Sequence, residues 1–239
     1  MDEEAATQAL GVALERAASD TTTEALKVAL LREAIEADIV LDLHSAVTGI
    51  LHVVVQEDVA REGPGEALRS LAAHLGARTV LTVPRAAPDT FDEAVFLPRL
   101  RMREAFPAAP LSLPLAATVE LRGNRDVSDE CAAGDAEALL AFLTERGVVT
   151  GSAPGRPAGE VPIAASEALI SVTAPEAGIV VLCVDVGDRV ERGAVLADLV
   201  DPVSGQRRKL TAPGAGVVLI TRGDHYAWRG ASIAQLVPI

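Results

Sequence analysis

Two stretches of the chain carry side chains that could do chemistry. In Ala37-Asp38-Ile39-Val40-Leu41-Asp42-Leu43-His44-Ser45, an apolar run interrupted by Asp42 ends in a histidine. In Leu115-Ala116-Ala117-Thr118-Val119-Glu120-Leu121-Arg122-Gly123, a second such run carries a glutamate close to its end. An imidazole is a ligand or a proton carrier near neutral pH, and a lone histidine at a strand end is as readily a hydrogen-bonded structural residue. Glu120 poses a sharper question. Burying its charge costs on the order of several kcal/mol unless a cation, metal or proton compensates it. It is therefore either a carboxylate kept to take up a proton, as a general base does, or half of a salt bridge to Arg122 or Arg125. Asp42 stands two residues before His44, on the same strand face. It could orient the histidine or cap a neighbouring backbone group.

Both stretches read as strands buried on both faces, of the kind found inside a parallel sheet. Thr21-Thr22-Thr23-Glu24 offers a capping box, and Leu26, Leu30 or Leu31, and Ile35 recur at helical spacing ahead of the first strand. Ligands in such sheets gather at the carboxyl ends of strands, where His44 sits. A weaker helix over 2–18, with Asp2, Glu3 and Glu4 in its first turn, precedes this unit and is broken by Ser19 to Thr23. Ile50 to Val55 is another strand, on which His52 faces a sheet neighbour. Leu68, Leu71, Ala72 and Leu75 stripe a helix that ends at Gly76, with His74 in its last turn. Thr79 to Val83 is a short strand.

Prolines 84, 88, 98, 107, 110 and 114 then punctuate an irregular segment with one short helix around Phe91 to Glu104. Its Asp92, Glu93, Arg99, Arg101 and Arg103 line a cleft or form a solvated face. Ser128-Asp129-Glu130 starts a helix with a core face at Leu139, Leu140 and Leu143, ended by Arg146-Gly147. Helices alternating with apolar strands predict an α/β fold with a doubly wound sheet over 1–150. A glycine- and proline-rich linker over 151–163 follows.

Residues 164–239 repeat themselves. Ala174-Pro175-Glu176-Ala177-Gly178-Ile179-Val180-Val181 matches Ala212-Pro213-Gly214-Ala215-Gly216-Val217-Val218-Leu219, and Gly187-Asp188 with Arg192 to Ala197 matches Gly223-Asp224 with Arg229 to Ala234. Two copies of one strand-turn-strand unit predict a smaller, all-β, pseudo-twofold sandwich domain. The segment resembles the biotinyl/lipoyl barrel-sandwich hybrid. The joint between its halves holds Pro202, Ser204 and Gly205, and Lys209 lies beyond it without the setting of a carrier lysine. His225, Tyr226 and Trp228 in the second copy are a polar-aromatic group for surface or interdomain packing.

The string Ala-Asp-Ile-Val-Leu-Asp-Leu-His-Ser resembles the third zinc-ligand segment of the succinylglutamate desuccinylase/aspartoacylase family. These are zinc deacylases similar to the zinc carboxypeptidases. Thr118-Val119-Glu120-Leu121-Arg122-Gly123 is similar to the segment that holds their catalytic glutamate. The resemblance implies a partial zinc-exopeptidase-like sheet, zinc held by His44, Glu120 activating its water, Asp42 orienting His44, and hydrolysis of an N-acyl amino acid amide. The family's first two ligands come from an H-x-x-E motif that this sequence lacks. His44, His52, His74 and His225 are followed at the third place by Val47, Val55, Ala77 and Trp228. The expectation is a deacylase without its first β-α-β portion. Either its site is completed by another subunit in an oligomer, or it is a catalytically inactive relative or fragment that binds through its β-domain.

Composition narrows the partners. A net charge of -13 over 239 residues argues against nucleic acid and anionic membranes. Cys131 and Cys183 stand in separate segments with no CxxC spacing, which excludes a thiolate zinc site. No apolar run approaches a membrane span and the start lacks a signal-peptide pattern, so the expected location is the cytoplasm.

Overall fold

The computed structural model describes residues 3–17, 21–85, 90–152 and 154–239. Asp2, Ser19, Pro88 and position 153 of the expected linker lie outside them. In the first half, α1 (Glu3–Glu15) and α2 (Thr22–Ala34) lead into β1 (Ile39–Ala46). Then come β2 (Leu51–Gln56), α3 (Glu57–Glu62), α4 (Gly65–His74), β3 (Val80–Val83), α5 (Phe91–Ala105), β4 (Leu115–Gly123) and α6 (Asp129–Glu145). The capping box forms as its residues dictate. Thr21 Oγ1 accepts from Glu24 N–H at 3.2 Å, and the Glu24 carboxylate accepts from Thr21 N–H at 2.9 Å. Gly76 takes the left-handed conformation after α4, with φ +63°.

With β5 (Ile163–Ala165), these strands form one sheet in the order β1-β4-β2-β3-β5. It is mixed. β1 runs parallel to β4, β2 parallel to β3 and β3 parallel to β5, but β2 is antiparallel to β4. Helices cover both faces, α5 over the side carrying Thr118 and Glu120 and α6 over the side carrying Leu43 and Leu121. Phe96 of α5 and Phe142 of α6 are fully buried in the common core with Val53, Leu71 and Ala117.

The expectation of a doubly buried, central β1 is corrected. The strand lies at the end of the sheet, and among the described residues no strand pairs with its outer edge. Its residues are half-buried or exposed throughout, Leu43 at 51%. Apolar residues state that a strand prefers cover, but they do not name its neighbours. The segment after β3 holds the helix expected around Phe91 to Glu104: α5 runs 15 residues through Pro98, but Asp92, Glu93 and Arg99 on it are buried rather than solvated. Arg99 Nη2 donates to Ile35 O at 2.7 Å and to Thr7 Oγ1 at 3.1 Å, tying α5 to the first two helices.

The second half holds β6 (Ile170–Thr173), β7 (Gly178–Leu182), β8 (Arg189–Val190), β9 (Val195–Val200), β10 (Arg207–Thr211), β11 (Gly216–Thr221), β12 (Tyr226–Ala227) and β13 (Ser232–Pro238). They make two four-stranded sheets, β10-β9-β7-β12 and β6-β13-β11-β8. Advancing each strand of the first copy to its equivalent in the second turns one order into the other, so the sequence repeat is a structural one that exchanges strands between sheets. Leu196, Val218, Ile233 and Leu236 fill the space between. Lys209 is exposed on β10. Tyr226 and Trp228 are 53% and 60% exposed, and the Trp228 ring takes the Arg222 guanidinium at 4.7 Å, a contact within this half.

The halves meet over a third apolar cluster of Ile50, Leu81, Leu219 and Val237. The turn after β1 is bonded to β11: Ile50 N–H donates to Leu219 O at 3.0 Å and Thr221 N–H to Thr48 O at 3.3 Å. The connecting segment is also pinned. Arg156 pairs with Glu66 at 2.6 Å and with Glu145, and the nearly buried His74 donates from Nε2 to Glu145 at 2.6 Å. Thus His74 serves an ion-pair cluster beyond its place in the helix end. Among the described residues, no helix is long and apolar enough to cross a membrane.

The Arg156 guanidinium, aided by the His74 hydrogen bond, holds the Glu145 carboxyl well down, from the usual 4.5 to about 2. A depressed carboxylate contributes stability that is present above its unfolded value and lost as pH falls through the folded one. The melting temperature of the protein should therefore exceed that of Arg156→Gln at neutral pH, with the gap closing between pH 4.5 and about 2. Thermal unfolding of both proteins across that range measures it.

Candidate active site

The sequence-predicted residues come together at one end of the first sheet. β1 and β4 pair in parallel with Asp42 beside Thr118 and His44 beside Glu120. Side chains alternate along strands, so residues paired at these positions share a face. Asp42, His44, Thr118 and Glu120 line one cavity of about 620 Å³. The start of α5 closes its far side with Phe91, Asp92 and Glu93, and Val54 and Val83 add apolar wall.

His44 is about half-exposed, its side chain at 52%, and its Nε2 lies 3.1 Å from Asp42 Oδ2. A carboxylate can only accept, so Asp42 fixes the proton on Nε2 and leaves Nδ1 with its lone pair. Among the described residues, Glu120 has no salt bridge. Arg122 turns instead to Asp135, Nη2 to Oδ2 at 2.5 Å, and Glu120 Oε2 is buried with no hydrogen-bond partner. A solvent-inaccessible carboxylate oxygen that nothing satisfies is costly for stability and available for chemistry.

Register brings in a residue that sequence reasoning set aside. His52 of β2 pairs with Glu120 from the side opposite His44. It is 3% exposed, and its Nδ1 lies 2.9 Å from Ile50 O. Because a carbonyl accepts, Nδ1 carries the proton and Nε2 is the acceptor. His44, Glu120 and His52 thus form one row across three strands. Nothing in the sequence reveals this row, since the antiparallel pairing of β2 with β4 joins residues far apart in the chain. Asp92 and Glu93 were visible only as charges, and they lie 3% and 4% exposed at the cavity.

The zinc expectation can be set against this geometry. Catalytic zinc takes three protein ligands and leaves one position open. Among the described residues, no group of three or more His, Cys, Asp or Glu side chains is placed to hold a metal ion. His44 and Glu120 are two donors, and using Glu120 as a ligand removes it as a base. The described residues alone do not fit a zinc centre.

No family model matches the chain, and no curated protein matches it. Solved structures do. It superposes on a succinylglutamate desuccinylase/aspartoacylase family protein of Shewanella amazonensis with a TM-score of 0.82 at 24% identity, covering 99% of this chain and 66% of that one. A succinylglutamate desuccinylase/aspartoacylase of Shewanella frigidimarina gives 0.80 at 22%, covering 99% and 63%. The ectoine utilization protein EutE (DoeB) of Ruegeria pomeroyi gives 0.68 at 19%, covering 92% and 67%. The chain thus spans less than two thirds of the length of the two Shewanella proteins. What these likenesses show is a shared fold.

Relieving the orphaned carboxylate should be free of structural cost. Glu120→Gln is expected to raise stability by about 1 kcal/mol, because it removes an unsatisfied buried charge. Urea denaturation measures it; a marked loss of stability would mean that Glu120 has a structural partner after all.

Proposed function

We propose that this chain is a hydrolase of the succinylglutamate desuccinylase/aspartoacylase type, cleaving the amide of an N-acyl amino acid or a similar small molecule. The observation that carries the reading is the pairing of Glu120, with its unpartnered Oε2, beside the Asp42-held His44 at the mouth of a cavity. The likeness of fold supports it over nearly the whole chain. The same reading takes the first sheet as a partial zinc-exopeptidase-like sheet over 1–150, and the repeat over 164–239 as a barrel-sandwich domain after the 151–163 connection.

The chain's own residues have definite tasks in such a reaction. The Glu120 carboxylate accepts a proton from the attacking water as the water oxygen bonds to the acyl carbon. It returns that proton to the nitrogen as the C–N bond breaks, releasing a carboxylate and an amine. Asp42 holds the His44 ring so that Nδ1 faces outward with its lone pair. Phe91, Val54 and Val83 keep bulk water from the acyl group, while Asp92 and Glu93 offer charge to the ammonium of the released amine. Zinc, where bound, would polarise the acyl carbonyl, and it would need donors beyond the described residues. A second chain covering the free edge of β1 fits this proposal, as does a cytoplasmic setting. The donor shortage favours the second reading, a non-catalytic relative that binds through its β-rich half.

The test is elemental analysis of the purified chain, beside a panel of N-acyl amino acids. Turnover of a member of the panel, lowered about a hundredfold or more by Glu120→Gln, is the expected result, and any zinc that the chain carries should be lost in His44→Ala. Neither zinc nor turnover would leave the non-catalytic reading standing.

A further inference from the structure

A second cavity, of about 540 Å³, opens where the turn after β4 and the start of α6 approach the β-rich half. Its wall includes Arg78, Arg122 and Arg125, the helix-capping Ser128, and the apolar Ile50 and Val186. In a chain of net charge -13, three guanidinium groups around one hollow are out of keeping with the surface as a whole. Glu120 and His44 do not line it.

Among the described residues only one of these charges, that of Arg122, is engaged by an acid, Asp135. Among the described residues, the side chains of Arg78 and Arg125 have no ion pair and no hydrogen bond. Arg122 gives Nη2 to Asp135, while its Nε is buried and has no acceptor. Asp126, the acid that does line the cavity, already accepts from Gly123 N–H at 2.9 Å. Arg78 reaches across to the β-rich half, where its Nη2 lies 3.9 Å from the point that a Cβ on Gly187 would occupy.

Backbone conformation points the same way. Arg122 is the single non-glycine residue with positive φ among the described residues, at +84°. An arginine gains nothing from a left-handed conformation by itself, and such conformations persist where the surroundings impose them, often at ligand sites. Here the effect is to break the strand alternation after Glu120 and to aim the guanidinium away from that carboxylate. Ser128 Oγ caps the 17-residue α6 by accepting from Cys131 N–H at 3.1 Å, and both residues line the cavity.

We propose that this cavity binds a small dianion with a short apolar body, a dicarboxylate or a phosphate ester, held between Arg122 and Arg125 on one side and Arg78 on the other. Arginine's planar fork suits both anions, and the forks of Arg78 and Arg125 have no ion pair or hydrogen bond among the described residues. Ile50 and Val186 cover the apolar part. The inference stands apart from the hydrolase reading, because none of its residues is asked to react.

The experiment is isothermal titration of the full chain at low ionic strength with succinate and, separately, with inorganic phosphate. Arg78→Gln and Arg125→Gln are the variants of choice, since neither removes a contact among the described residues. Saturable binding of either anion, weakened about tenfold or more in each variant and weakened by added salt, is expected. Binding of succinate alone identifies a dicarboxylate, and binding of phosphate alone identifies a phosphate ester. Glu120→Gln should leave the affinity unchanged; if it abolishes binding, the anion sits in the other cavity and the proposal fails. It fails equally if neither anion saturates or if both arginine variants bind as the parent does.

Discussion

The parallel pairing of Ile39 to His44 with Leu115 to Glu120 is the constraint on which the rest depends. It sets His44 beside Glu120 and Asp42 beside Thr118, and so decides which four side chains share a face. A slip of one residue in β1 would send Asp42 and His44 to the α6 side and leave Glu120 alone beneath α5. The register also ends where the chemistry does. Between His44 and Ala46 the pairing becomes irregular, Arg122 turns left-handed, and Asn124 N–H donates to Ala46 O at 2.7 Å. The strand end is thereby closed off, with the histidine half-exposed above it.

The β-rich half acts on that site through its grip on the turn that follows. Residues 47–50 are bonded to β11 at two points, and a Cβ on Gly223 would lie 2.3 Å from Val47 Cγ1. A side chain at Gly223 would have to displace that of Val47, so glycine is what lets Val47 pack there. Ile50 anchors the shared apolar cluster and also lines the arginine cavity, so one junction positions both hollows. The strand exchange of the repeat makes this half self-supporting, since each of its sheets contains strands of both copies. The Arg156 cluster then limits how far the connection between the halves can stray.

The site itself shows the usual tension between stability and function. Glu120 leaves an oxygen unsatisfied, Arg122 leaves a nitrogen unsatisfied, and β1 leaves a backbone edge uncovered. These features sit within a few residues of one another. Ser70 Oγ and Asp198 Oδ1 also lack a partner among the described residues, whereas Asp58, 4% exposed, has both Gln56 and Arg85 as donors, which hold its carboxyl below the usual range against the opposing effect of burial.

Local chemistry made much of this legible in the chain itself. The Thr21 cap, the Gly76 stop, the strand around His44 and the repeat from Ala174 onward each follow from residues close in sequence, where sterics and hydrogen bonding act directly. His44 and Glu120 were singled out by the likeness of their segments to a known family's, with the cost of a carboxylate in an apolar run as a further signal at Glu120, and Asp42 by its place on the same strand face. Only the tertiary structure decided that β1 is an edge, that β2 runs against β4, that His52 completes a row and that Arg78 joins Arg122 across some 40 residues. The physical reason is that an apolar run specifies burial without specifying a neighbour. Strand direction and register are set by contacts between residues distant in the chain.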